Sequence, residues 1–168
     1  ALPQKNIAVL LLERLLKGKV KSVQRMNVVQ AKKYSEMLKN SIDKYNKRSI
    51  QTSKVIEELI EIAKEMRKAA ERGEDLGLSQ DEVAFYDALA DHMTAKEVLG
   101  DETLRAIAHE LTKVIKENMT IDWNRKESAR AKMRITVRRL LREYGYPPDL
   151  AKMAVETVVR QAELMAGN

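Results

Sequence analysis

Apolar residues recur at intervals of three and four along almost the whole chain, and no stretch of four or more residues alternates convincingly as a strand would. This spacing predicts an all-α fold, a single helical bundle of about seven helices joined by short loops. The first helix is expected over about residues 4–17, with Pro3 at its start and Gly18 as its stop. A long basic helix follows to about Lys47, with Tyr34, Leu38, Ile42 and Tyr45 on one face. The next, about Thr52 to Arg72, carries the stripe Val55, Leu59, Ile62, Met66 and Ala69, and turns Glu57, Glu58, Glu61 and Glu65 elsewhere. Gly73 and Gly77 are expected to break it.

Punctuation fixes the second half of the chain. Ser79-Gln80-Asp81-Glu82 reads as a capping box, with Leu78 and Val83 placed as its hydrophobic staple, opening a helix that ends near Met93. A helix over about 102–118 presents Leu104, Ile107, Ala108, Leu111 and Ile115. Asn124 with Glu127 is a weaker cap for a helix running to about Tyr144, whose buried face is expected to hold Met133, Val137, Leu140, Leu141 and Tyr144. Gly145 sits where a left-handed residue closes a helix, Pro147-Pro148 prevents continuation, and a last helix spans about 149–164.

Composition removes several function classes. The 168 residues suffice for one domain with its own core. No apolar run approaches the roughly 18 residues of a membrane span, and Ile7–Leu12 reads as a helix face rather than a signal peptide. With no cysteine there are no disulfides, thiolate metal sites or cysteine nucleophiles; a soluble cytoplasmic protein is the default expectation. A chain that starts at Ala1 reads as a piece of something longer.

Charge changes the picture more. The net charge of +6 conceals three blocks: 12 Lys/Arg against 3 Asp/Glu over residues 1–50, 7 against 15 over 51–110, and 12 against 7 over 111–168. Such segregation creates faces of opposite sign, available to steer charged partners unless they pair with one another on folding.

Candidate chemistry is sparse. Asp81-Glu82-Val83-Ala84 imitates the Asp-Glu box of ATP-driven helicases, but a turn and a cap precede it, and the chain has no G-x-x-x-x-G-K-[ST] phosphate loop. His92 and His109 lack the Glu-x-x-His spacing of a di-iron bundle and read as surface or capping residues. Trp123, in the loop before the basic helix, reads as a bundle plug rather than an interface anchor.

One pattern stands out. Lys126, Arg130, Arg134, Arg138 and Arg142 recur every four residues, with Lys132 and Arg139 beside them. Each step of four advances about 40° around a helix, so the ladder turns progressively away from the buried face. Arginine suits carboxylate or phosphate pairing. Two readings stay open: a track for the DNA backbone or an acidic partner, and internal pairing with the acidic helix over 52–72. Lys32, Lys33, Lys39 and Lys44 pose the same choice.

Several segments together resemble a known family. They are Asn27-Val-Val-Gln, Tyr34-Ser-Glu-Met-Leu-Lys, Val55-Ile-Glu-Glu-Leu-Ile-Glu-Ile-Ala-Lys-Glu and Gly77-Leu-Ser-Gln-Asp-Glu-Val-Ala-Phe-Tyr-Asp-Ala-Leu-Ala. Ile121-Asp-Trp-Asn, Arg130-Ala-Lys-Met-Arg and Leu140-Leu-Arg-Glu-Tyr-Gly-Tyr-Pro-Pro complete the set. This combination resembles the C-terminal helical domain of the restriction (R) subunit of type I restriction–modification enzymes, over nearly the whole of residues 1–168. The resemblance implies a parent with an N-terminal Mg²⁺-dependent nuclease and two ATP-driven translocase lobes. It also implies that this region docks the motor onto the methyltransferase core of M and S subunits. The nuclease carboxylates and ATP-binding loops have no counterparts here, so no catalytic, cofactor or metal residue carries over and no small-molecule substrate is implied. The candidate contacts to a protein partner, or to DNA, are Arg130, Arg134, Arg138, Arg139, Arg142, Lys32 and Lys33.

Overall fold

A computed structural model describes residues 6–91, 93–118 and 127–166. Among them are eight helices and no strand: α1 (Ile7–Gln24), α2 (Val28–Asn46), α3 (Thr52–Leu76), α4 (Gln80–Ala90), α5 (Met93–Leu99), α6 (Asp101–Asn118), α7 (Glu127–Glu143) and α8 (Pro148–Ala166). The all-α class follows the apolar spacing. Three boundaries depart from the sequence expectation, each for a local reason.

Gly18 does not stop α1, which continues to Gln24. A mid-helix glycine costs about 1 kcal/mol relative to alanine. Val20 and Val23 offset that cost, because they continue the buried face begun by Val9 and Leu16 and pack on the same cluster. Gly73 likewise lies inside α3. It is Gly77, at φ +67°, that ends the helix. Its N–H donates to the Glu74 carbonyl at 3.2 Å while Leu78 N–H reaches the Gly73 carbonyl at 2.9 Å, the paired closure that requires a left-handed residue. Gly145, at φ +75°, closes α7 in the same way, as the sequence predicts. Finally, the helix expected to run to Met93 ends at Ala90, and a short α5 follows; the break lets Ala95 turn fully inward.

The capping box at α4 forms as read. Ser79 Oγ accepts from Glu82 N–H at 3.3 Å, and Glu82 Oε1 accepts from Ser79 N–H at 3.1 Å.

The chain gathers into two compact units. The first comprises residues up to Gln24 and Gln30–Arg72, and so contains α1 and most of α2 and α3. Its core is Val9, Leu16, Tyr34, Leu38, Ile42, Val55, Leu59, Ile62 and Met66, which are the stripes read from the sequence.

The second unit comprises Arg25–Val29 and the residues from Gly73 onward. Its larger core centres on Phe85 and Leu89 of α4, Leu104, Ile107, Leu111 and Ile115 of α6, Val137 and Leu141 of α7, and Val155, Val158 and Val159 of α8. Tyr144, expected in that core, is instead 36% exposed, and Tyr146 beyond the glycine takes the inward position at 3%.

A buried polar network completes the second unit. Gln161 on α8 is only 1% exposed. Its Nε2 donates to the Met26 carbonyl at 2.8 Å and its Oε1 accepts from Val28 N–H at 3.0 Å. The side-chain amide thus pairs with the turn between α1 and α2 as a peptide group would. Buried Asn27, between them, donates from Nδ2 to Asp87 Oδ2 at 2.7 Å. Glycine therefore does not separate α1 from α2; a turn satisfied by side chains from α4 and α8 does.

The Tyr146 hydroxyl donates to the buried Leu89 carbonyl at 2.7 Å. Burial first, and the nearby Asp91 charge second, push its pKa from 10.0 up to about 12. A phenol whose folded pKa is raised stabilises the fold fully below pH 10.0, and that stability is lost as pH rises toward 12. Urea titrations at pH 9 and pH 12 are expected to differ by about 1–2 kcal/mol through this group. In Tyr146→Phe that component of the alkaline loss should vanish; an unchanged loss would assign it to other tyrosines.

Candidate docking interface

Helix α7 owes its position to a clean division of faces. Met133, Val137 and Leu141 fall at four-residue intervals and are buried in the second unit's core, with Leu140 half-buried beside them. The arginine ladder drifts away from that line as the 40° step requires. Arg130 and Arg134 are half-buried, whereas Arg138 and Arg142 are exposed.

The first two rungs are paired internally. Arg130 Nη2 lies 2.6 Å from Glu163 Oε1, with its Nε at 2.8 Å from the same oxygen. Arg134 Nε lies 2.8 Å from Glu156 Oε1 and its Nη2 3.4 Å from Oε2. The Glu156 hydrogen bond, and then its charge, raise the Arg134 pKa above the ordinary arginine value. These carboxylates belong to α8. The acidic helix α3, expected from the charge blocks to be the internal partner, is not the one that pairs with the described rungs. Beyond Arg134 and Glu156 the described residues show no ion pair for Arg138, Arg139 or Arg142. Pairing stops there, which leaves the later rungs to solvent.

What remains is a compact patch. Ile135 is 64% exposed. At helical spacing it sits opposite Met133 and Val137, framed by the exposed cations Lys132, Arg138, Arg139 and Arg142. Sequence reading found the cations and missed the isoleucine. The signal was its position, two residues from the buried Met133 and Val137 on either side and therefore on the far face of the helix.

The remaining candidates lie elsewhere. Lys32 and Lys33 are exposed on α2 in the first unit, with Lys33 Nζ 5.5 Å from the Tyr34 ring centroid. Lys39 is exposed, and Lys44 pairs with Glu58 of α3 at 3.1 Å, so one basic side chain of α2 meets the acidic helix as the charge blocks suggest. A groove of about 580 Å³ between α2 and α3 sets Lys44, Lys54 and Lys64 against Glu57, Glu58 and Glu61, a balance that favours no ligand of either sign. His109, on α6, is exposed and its Nδ1 lies 2.5 Å from Glu82 Oε2, a surface role as the sequence suggests. Burial works to raise the Glu82 pKa, but hydrogen bonds from the Ser79 backbone, His109 and the Ser79 hydroxyl together bring it below the ordinary value. The helicase-like box is thus occupied with capping. Among the described residues no three His, Asp or Glu side chains converge as a metal site, and no helix is long and apolar enough to cross a membrane. His92, Trp123, Asn124 and Lys126 lie outside the described residues.

A family described as "Type I restriction enzyme HindI endonuclease subunit-like, C-terminal" matches residues 1–168. The chain belongs to this family. Among curated relatives of this type I restriction family, the HindI endonuclease subunit of Haemophilus influenzae is 36% identical over 164 residues, covering 98% of this chain and 16% of that protein. The putative MjaIXP endonuclease subunit of Methanocaldococcus jannaschii is 35% identical over 136 residues, covering 79% of this chain and 13% of its own length. The chain therefore spans about a sixth or less of these endonuclease subunits. No solved structure matches. The resemblance drawn from the sequence segments and the family match agree over the whole chain.

Proposed function

We propose that residues 1–168 form a non-catalytic helical assembly domain of a type I restriction endonuclease subunit. It attaches a cytoplasmic ATP-dependent DNA translocase and nuclease to the methyltransferase core of M and S subunits. On this reading ATP and Mg²⁺ act in other parts of the subunit. The observation that supports it is the α7 patch, in which unpaired Arg138, Arg139 and Arg142 surround exposed Ile135. An apolar centre with an arginine-rich rim suits a protein surface carrying carboxylates around an apolar pocket. A DNA backbone would use the cations and leave the isoleucine in water, so DNA is the second reading.

Co-purification with the cognate M and S subunits tests the proposal. The Arg138→Glu, Arg139→Glu, Arg142→Glu variant should keep its helical circular dichroism and lose association by at least about a hundredfold, the scale of a few desolvated charge contacts. Ile135→Asp alone should weaken it by about tenfold or more. Association untouched by both variants would refute the docking surface. If instead the fragment binds DNA with a log–log salt slope of about −0.9 per phosphate contact, and the arginine variant loses it while Ile135→Asp does not, the DNA reading takes its place.

A further inference from the structure

Helix α1 carries more apolar surface than the first unit's core uses. Val9 and Leu16 are buried. On the opposite side Ile7, Leu11 and Leu15, spaced four apart, are 73%, 60% and 54% exposed, with Leu10 at 41% beside them. A helix segment apolar on both faces is characteristic of burial on both faces. The flank of this stripe is basic: a groove of about 510 Å³ is lined by Leu10, Glu13, Arg14, Lys17, Gly18 and Lys21. Glu13, its only acid, is held by Lys17 at 3.0 Å, which leaves exposed Arg14 and Lys21 to set the sign. A Cβ added at Gly18 would meet nothing within 4 Å, so the groove floor admits a close neighbour. Apolar ridge, small notch and basic flank together fit one chemistry: an amphipathic helix whose apolar stripe is bordered by Asp and Glu.

We propose that the α1 stripe is the seat for such an acidic amphipathic segment of the same polypeptide, drawn from the part of the subunit that precedes this region. The relatives supply the reason for an intrachain source. The matched region is 16% and 13% of their length, and the family is described as C-terminal, so most of the polypeptide in those proteins comes before it. The stripe occupies the first turns of α1, the helix nearest the N-terminal side of the matched region. A segment of the same polypeptide competes for the site at an effective concentration set by its tether rather than by the protein concentration, an advantage that a separate partner lacks. The proposal rests on family membership and not on the α7 docking surface, and the two fail separately.

The test uses the full-length subunit with a photo-crosslinking benzoylphenylalanine at Leu11, irradiated alone and with the methyltransferase present. An intrachain adduct to a preceding segment is expected, with apolar residues at the adduct three and four apart and Asp or Glu beside them. Its yield should not change with protein concentration. Adding Arg14→Glu and Lys21→Glu should lower the yield about threefold, the scale of one or two exposed ion pairs. Because all these positions are exposed, helical circular dichroism should be unaffected. An adduct between two subunits, an adduct to the M or S chain, or no adduct at all would each overturn the proposal. Co-purification with M and S, read on the same samples, reports on the α7 surface independently.

Discussion

Phe85→Ala is expected to destabilise the second unit by about 3–5 kcal/mol, a large share of the 5–15 kcal/mol that typically holds a domain. Phe85 is 0% exposed and lies in the same core as Leu89, Leu104, Ile107 and Val158. Removing its ring takes away transfer free energy and leaves a cavity that helices anchored through several stripes cannot collapse to fill. Urea denaturation followed by circular dichroism would read this as a lower midpoint at unchanged slope. Phe85→Leu should recover more than half of the loss, because it restores most of the volume. A loss under about 1 kcal/mol for the alanine variant would mean that this ring does not fill the core as described.

Gln161→Leu is expected to cost about 2–4 kcal/mol despite nearly conserving volume. Leucine keeps the packing on α8 but strands the Met26 carbonyl and Val28 N–H, whose described partners are the two ends of the Gln161 amide. The asymmetry of hydrogen bonding decides the sign: making such bonds gains little over water, whereas leaving part-buried groups unmade forfeits their hydration. Amide hydrogen exchange separates this from a packing effect. Val28 should lose protection selectively in Gln161→Leu, while amides in the middle of α6 change only as far as global stability falls. Equal loss at both places would assign the cost to packing.

The helices were legible because burial in a bundle follows spacing. Val55, Leu59, Ile62 and Met66, and Leu104, Ile107, Leu111 and Ile115, are each one line on a helix, and a line of that kind has few alternatives. The capping box was legible for a similar reason, since its four residues meet their own backbone. Gln161 was not. In Val158-Val-Arg-Gln-Ala162 it looks like a polar residue on a helix, and only the arrival of a turn 133 residues away gives it partners. Gly18 misled because glycine signals a stop only where burial does not continue beyond it. The ladder was legible as a pattern but not as pairs: nothing in the spacing of arginines says that Glu156 and Glu163 meet two of them and that Arg138 and Arg142 stay exposed. Family membership was carried by the quoted segments, whereas the exposed α7 patch needed the orientation of Ile135.

The amide of Gln161 has a consequence for how the protein is made. Synthesis runs from the N-terminus, so the turn at 25–29 leaves the ribosome long before the residue that satisfies it, at separations of 133 and 135 positions. Until α8 emerges, the second unit lacks both the valines of its last helix and the side chain that fastens its earliest segment. Its cooperative folding therefore waits for α8, and every shorter nascent chain carries an open apolar surface for chaperones to shield.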